Sequence, residues 1–203
     1  MTEGFLRQAY DLDTQEQTDA YYSRWAPSYD AELIAQGYRT PTRCAAALSQ
    51  FVATDAAILD IGCGTGLSGK ALAGAGYANI TGNDVNEHML AFAEEAGVYR
   101  QTAVTDVQNP FPFTPGTYDA ITAVGVIGVG AAPLPVFHQA LDALAPGGHL
   151  CFSFNEHALK VPEFAAAVDD ATSSGIAEAV FAHDGPHIEG LGSTSRVHVL
   201  RRR

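Results

Sequence analysis

"AAILDIGCGTGLSGKAL", residues 56–72, decides the fold. Its first part is a short apolar run ending in glycine, the pattern of a strand buried on both faces. Its last part places Leu67, Ala71 and Leu72 at helical spacing. Between them Gly62, Gly64 and Gly66 form a turn whose backbone can approach a ligand closely and take positive φ. A buried strand, a glycine turn and a helix in that order begin an alternation that continues along the chain.

Working outward, strands are predicted over 79–84, 98–104, 116–127 (from Tyr118) and 149–155. Helices are predicted over 67–75, 87–96, 135–144 and 161–173, and the last strands over 175–183 and 195–203. Upstream, Tyr21, Tyr22, Trp25 and Tyr29 surround Pro27, which predicts two short helices over 20–36 broken near the proline. Pro41 opens the next helix, carrying Ala45, Leu48, Phe51 and Val52. Strand–helix alternation of this kind predicts an α/β fold: a parallel sheet with helices on both faces. The last two strands lack an intervening helix, so they pair antiparallel as a hairpin at a sheet edge. A ligand then sits beyond the carboxyl ends of the strands. Residues 60–66, Asp84, Thr105, Asp106, 123–130 and 155–157 share that rim.

Composition narrows the function classes. The chain has 203 residues, enough for one domain with a real core. A formal net charge of −12 opposes binding to a nucleic-acid backbone, and the only dense basic run is Arg201-Arg202-Arg203. Cys44, Cys63 and Cys151 are odd in number and far apart, which implies neither a disulfide framework nor a zinc pair. No signal-like or membrane-spanning apolar stretch occurs, so a cytoplasmic protein without a membrane partner is expected.

Three ligand classes compete for the turn. A phosphate-binding P-loop needs Ser or Thr after its lysine, but Lys70 is followed by Ala71, and Gly69-Lys70 lies within the helix. A dinucleotide fingerprint needs its third glycine where Leu67 stands. S-adenosylmethionine uses all the residues: Asp60 suits its cationic groups, the helix N-terminus its carboxylate, and Asp84 its ribose hydroxyls.

The chain resembles the class I S-adenosylmethionine-dependent methyltransferases. The matching blocks are "ILDIGCGTG" (58–66), "ITGNDVNEHML" (80–90), "TDVQNPFPF" (105–113), "YDAITAVGVI" (118–127) and "LAPGGHLCFSFN" (144–155). Within that superfamily it is similar to the methyltransferase-like group of the Williams–Beuren region, through "YYSRWAPSYD" (21–30), "GLSGKALAGAGY" (66–77) and "EEAGVY" (94–99). The resemblance implies a Rossmann-like seven-stranded sheet with an antiparallel C-terminal edge hairpin. It implies S-adenosylmethionine as cofactor, with the methionine part held by Asp60, Gly62, Cys63 and Gly64. Asp84 would hold the ribose, Val85 and Met89 the adenine ring, and Asp106 with Val107 its amino group. Ala123 and Val124 would line the sulfonium. Residues 1–40, with Tyr21 and Trp25, would form a helical lid over a methyltransferase domain of residues 41–203.

Each of these residues has a plainer alternative. Asp60 could order its own loop, Asp84 could cap a helix, Asp106 could be a turn residue, and the aromatic cluster could be ordinary packing. His183, Asp184 and His187 read as a polar loop rather than a metal site. No catalytic base is evident; Glu156, His157 and His138 are the candidates near the rim. The apolar loop 125–135 and the negative charge favour a small-molecule acceptor over nucleic acid. Alternatives are a non-catalytic cofactor-binding or protein-interaction module and an NAD-dependent oxidoreductase.

Overall fold

The computed structural model describes residue 5, residues 15–106 and residues 114–203. Seven strands form one sheet among these residues: β1 Ile58–Ile61, β2 Ile80–Asp84, β3 Gln101–Val104, β4 Ala120–Ala123, β5 His149–Asn155, β6 Ala177–Pro186 and β7 Thr194–Arg202. Their spatial order is β3-β2-β1-β4-β5-β7-β6. The first five run parallel, while β7 lies antiparallel between β5 and β6. Strand order reverses between β1 and β4, which opens a crevice at their carboxyl ends.

The helices are α1 Gln15–Ala35, α2 Thr40–Leu48, α3 Leu67–Gly74, α4 Glu87–Glu95, α5 Pro135–Ala143, α6 Glu156–Leu159 and α7 Pro162–Ser173. Both sheet faces are covered. Leu59, Ile61, Ile121, Phe152 and Phe154 pack with Phe137 and Leu141 of α5 and Phe164 of α7. Ile58, Ile80 and Val199 pack on the other face with Leu48 of α2 and Leu72 of α3. The two-residue period of β1 thus sends adjacent apolar side chains into opposite cores. Each large side chain buried this way contributes about 1.5–3 kcal/mol.

The structure departs from the expected elements in instructive places. Residues 20–36 are not two helices: α1 runs through Pro27 unbroken as far as Ala35. Tyr21, Trp25 and Leu33 recur every four or eight residues and bury one face against Ile188 and Leu67, which outweighs the lost proline hydrogen bond. The fourth strand is only four residues long, because Gly125 turns at φ 70 and donates its N–H to Ser153 Oγ at 2.9 Å. α2 ends at Leu48, leaving Phe51 exposed and Val52 buried in the turn beyond. α6 was not expected; Asn155 caps it by accepting from the His157 and Ala158 N–H groups. The stretch around His183 and Asp184 belongs to β6 rather than to a loop, pinned to β7 by a two-bond Arg196–Asp184 pair at 2.7 Å each. Among the described residues no helix is long and apolar enough to cross a membrane.

Candidate functional site

The turn after β1 carries the site. Gly62 has φ 61, and a Cβ there would meet Val126 Cγ2 at 2.6 Å, so only glycine lets the two loops close on each other. Gly64 has φ 55 and donates its N–H to Asp84 Oδ2 at 2.8 Å. The neighbouring strand end secures the turn further: Cys63 N–H donates to the Asn83 carbonyl at 2.9 Å.

The turn forms one wall of a cleft of about 1080 Å³, counted out to its solvent mouth. Of the expected site residues, Gly62, Cys63, Gly64, Asp84, Val85, Met89 and Val124 line it. Asp84 receives N–H groups from Gly64 and, at 2.9 Å, from Asn86. Val85 N–H is a third backbone donor to it, and a carboxylate has about four acceptor positions, so roughly one remains for a ligand hydroxyl. Burial raises the Asp84 carboxyl above its usual range, against the pull of those N–H groups and with the charge of Asp19 nearby. Asn86, not Asp84, caps α4, accepting from Met89 N–H at 2.9 Å. The plainer alternative for Asp84 is therefore absent, and its carboxylate is kept at the cleft.

Other expected residues lie elsewhere. Asp60 is fully buried beneath the turn and does not line the cleft. Its oxygens accept from Thr122 at 2.6 Å, Ser68 at 2.5 Å and Tyr99 at 2.8 Å, tying β1 to β4, to α3 and to the segment before β3. Desolvation raises its carboxyl too. The Cys63 thiol is likewise pushed up by burial, which makes it unreactive. Ala123 is buried within β4, and Val124 takes the lining position after it. Thr105 lines the cleft while Asp106 is exposed outside it. Val107 lies outside the described residues. Tyr21 is buried and donates to the Phe5 carbonyl.

Helix α1 closes the cleft from above with Thr18, Asp19, Tyr22 and Tyr29. Two sets of hydrogen bonds hold it there. Asn86 Nδ2 donates to Asp19 Oδ1 at 2.6 Å and to Ser23 Oγ at 2.8 Å. Asp30 accepts from Thr65 Oγ1 and pairs with Lys70 Nζ at 2.7 Å.

A second cavity of about 640 Å³ adjoins the cleft, and Trp25 faces this one instead. None of the three candidate bases reaches either space. Glu156 and His157 border a third, outer cavity, and His138 is exposed on α5. His187, which the sequence offers only as part of a polar loop, lines the second cavity. Its Nδ1 lies 2.7 Å from Thr40 Oγ1, and burial with Arg43 and His157 nearby holds its pKa down to about 4. The imidazole is therefore neutral near pH 7. Its only signal in the sequence is its place beside Gly185-Pro186 with His183 and Asp184, which reads as a polar loop. Among the described residues no cluster could hold a metal ion.

Known proteins resemble this chain in sequence and fold. Residues 59–152 match the family described as "Methyltransferase domain". The chain is 32% identical over 152 residues to human methyltransferase-like protein 27, covering 73% of this chain and 62% of that protein. It is 37% identical over 111 residues to a ubiquinone biosynthesis O-methyltransferase of Actinobacillus pleuropneumoniae, covering 51% and 47% respectively. The chain thus spans less than two thirds of the length of these relatives. Among solved structures, a TehB-like SAM-dependent methyltransferase from Corynebacterium glutamicum superimposes with a TM-score of 0.65 at 21% identity, covering 91% of this chain and 99% of that one. At that identity the likeness concerns the fold.

Proposed function

We propose that the chain is a class I S-adenosylmethionine-dependent methyltransferase and that it transfers a methyl group from this cofactor to a small-molecule acceptor. One observation carries the reading: the glycine turn and the Asp84 carboxylate face a single cleft at the point where strand order reverses. The residues fit the cofactor. Asp84 retains an acceptor position for a ribose hydroxyl, and Gly62 and Gly64 hold the turn beside it at positive φ. Val85, Met89 and Thr105 line the cleft where they would hold the adenine end, and Val124 would lie on the sulfonium side.

When bound, S-adenosylmethionine supplies an electrophilic methyl group whose leaving group is a neutral thioether, so the protein needs no acid at sulfur. The chain's own task is to orient two ligands and exclude water, an effect worth about 7–11 kcal/mol in well-aligned cases. We assign the exclusion of water to α1, within the segment 1–40 expected to act as a lid. The Asp30 and Asn86 hydrogen bonds are its latches.

The test is calorimetric titration with S-adenosylhomocysteine, followed by transfer of labelled methyl groups into fractionated cell extract. Binding at micromolar level and label in the small-molecule fraction support the proposal. Label in RNA overturns the acceptor class. Binding without transfer to any fraction identifies a non-catalytic module, and preference for NAD overturns the cofactor.

A further inference from the structure

The second cavity shares Tyr22, Tyr29, Tyr38, Gly125 and Ala131 with the cofactor cleft. Among the described residues no aspartate, glutamate, lysine or arginine lines it. Its polar groups are hydrogen-bond donors. Trp25 is 2% exposed, and among the described residues its buried indole N–H has no partner. Asn155 borders both this cavity and the outer one; it uses Oδ1 to cap α6, accepting at 3.1 and 2.9 Å, which leaves its amide hydrogens to donate. Ser153 Oγ accepts from Gly125 N–H and keeps its own hydrogen to donate.

His187 stands at the end of a hydrogen-bonded chain. Arg43 Nη1 donates to Ser195 Oγ at 2.9 Å. Ser195 Oγ and Thr40 Oγ1 lie 2.9 Å apart, and Thr40 Oγ1 lies 2.7 Å from His187 Nδ1. Burial holds the ring neutral, with its pKa down to about 4, so it carries one N–H to donate and is too weak a base to deprotonate an ammonium.

A cavity with apolar walls, several donors and no ionised side chain matches an apolar molecule bearing oxygen lone pairs. We propose that this cavity binds an apolar organic carboxylate as the methyl acceptor, an inference that rests on the methyltransferase reading above. The donors hold one carboxylate oxygen and leave the other toward the cleft. A carboxylate is ionised at neutral pH, so no base is required. Its lone pair forms the O–C bond, the C–S pair returns to sulfur, a methyl ester results, and no proton moves. An amine would arrive protonated, facing a sulfonium, and among the described residues no carboxylate lines the cavity to take its proton.

The test uses the full chain and a pair of probes that differ in charge. S-adenosylhomocysteine is titrated first; then phenylacetate and 2-phenylethylamine are each titrated at its saturation. Phenylacetate is expected to bind and the amine not to. Trp25→Phe keeps the ring but removes the donor, and should weaken phenylacetate about tenfold with the cofactor product unaffected. Asn155→Asp keeps the helix cap, since Asp is an equally good N-cap, but turns a negative charge to the cavity. It should abolish phenylacetate binding and leave S-adenosylhomocysteine affinity intact. Amine binding equal to or tighter than the acid, binding of neither probe, or an Asn155→Asp variant that still takes phenylacetate would each overturn the proposal. Failure of wild type to bind S-adenosylhomocysteine would instead remove the methyltransferase reading, and this inference with it.

Discussion

Asp60 and Asp84 end adjacent strands, and both carboxyls are raised by burial, yet only one faces the ligand cleft. Asp84→Asn keeps size but removes the charge. Charged hydrogen bonds are worth about 1.5–3 kcal/mol, so S-adenosylhomocysteine affinity should fall about 10- to 100-fold by calorimetry, with the circular dichroism spectrum unchanged. Hydroxyl donors from a ligand favour the ionised carboxylate. Wild-type affinity should therefore be flat above the raised pKa of free Asp84 and fall as pH drops through it. Asp19 and Asp60 share its surroundings, so the control is Asp84→Asn, whose profile should be flatter. Asp60 affects stability instead. Its folded pKa lies above the unfolded value, so the folded state binds the proton more tightly. That contribution is complete below the ordinary carboxyl value of about 3.9 and is lost as pH rises through the raised one. Wild type should lose melting temperature relative to Asp60→Asn over that rise. A constant difference between the two would refute the sign.

At the scale of elements, α1 is the informative one. Its Pro27 is exposed and removes the N–H that would bond to the Ser23 carbonyl, at a cost of about 3 kcal/mol for a helix interior. The aromatic face compensates: Trp25 and Tyr29 pack with ring centroids 4.5 Å apart, and Trp25 is almost wholly buried. Pro27→Ala should raise unfolding free energy by about 1–3 kcal/mol, reduced by the greater freedom of the unfolded chain. Amide exchange within α1 should slow in step. The Lys70–Asp30 pair is partly exposed and contributes at most about 1 kcal/mol. Asp30→Asn should accordingly appear as faster exchange in α1, with little change in melting temperature.

At the scale of the molecule, the cleft is assembled from segments that meet only in the folded chain: residues 18–29, 61–68, 83–89 and 124–136. A ligand held by all of them binds the native state alone. At a hundred times its Kd, S-adenosylhomocysteine should stabilise the protein by about 2.7 kcal/mol. For a chain of this length that corresponds to a rise of about 5–10 °C in melting temperature by scanning calorimetry. NAD at equal concentration should produce none. The negative net charge belongs to this scale too, and it is why labelled RNA is the sharpest challenge to a small-molecule acceptor.

Much of the fold was readable before any coordinates. The buried run of β1, the glycine turn, the period of α3 and the short connection between the last two strands, which holds only a 3-10 turn at Glu189–Leu191, are local signals. Local backbone preference and burial obey them directly. Where a packed face overrode a local breaker, as at Pro27, the sequence misled. The lining positions around the glycine turn were also legible, because turn chemistry and strand ends determine them. The sequence by itself therefore determined the strand–turn–helix frame and the place of the cleft. Only the tertiary structure decided that Asp60 is a buried hub, that Trp25 faces the neighbouring cavity, and that His187 meets Thr40 across 147 positions. Those contacts depend on strand order and on which face each helix presents, and no local period encodes either.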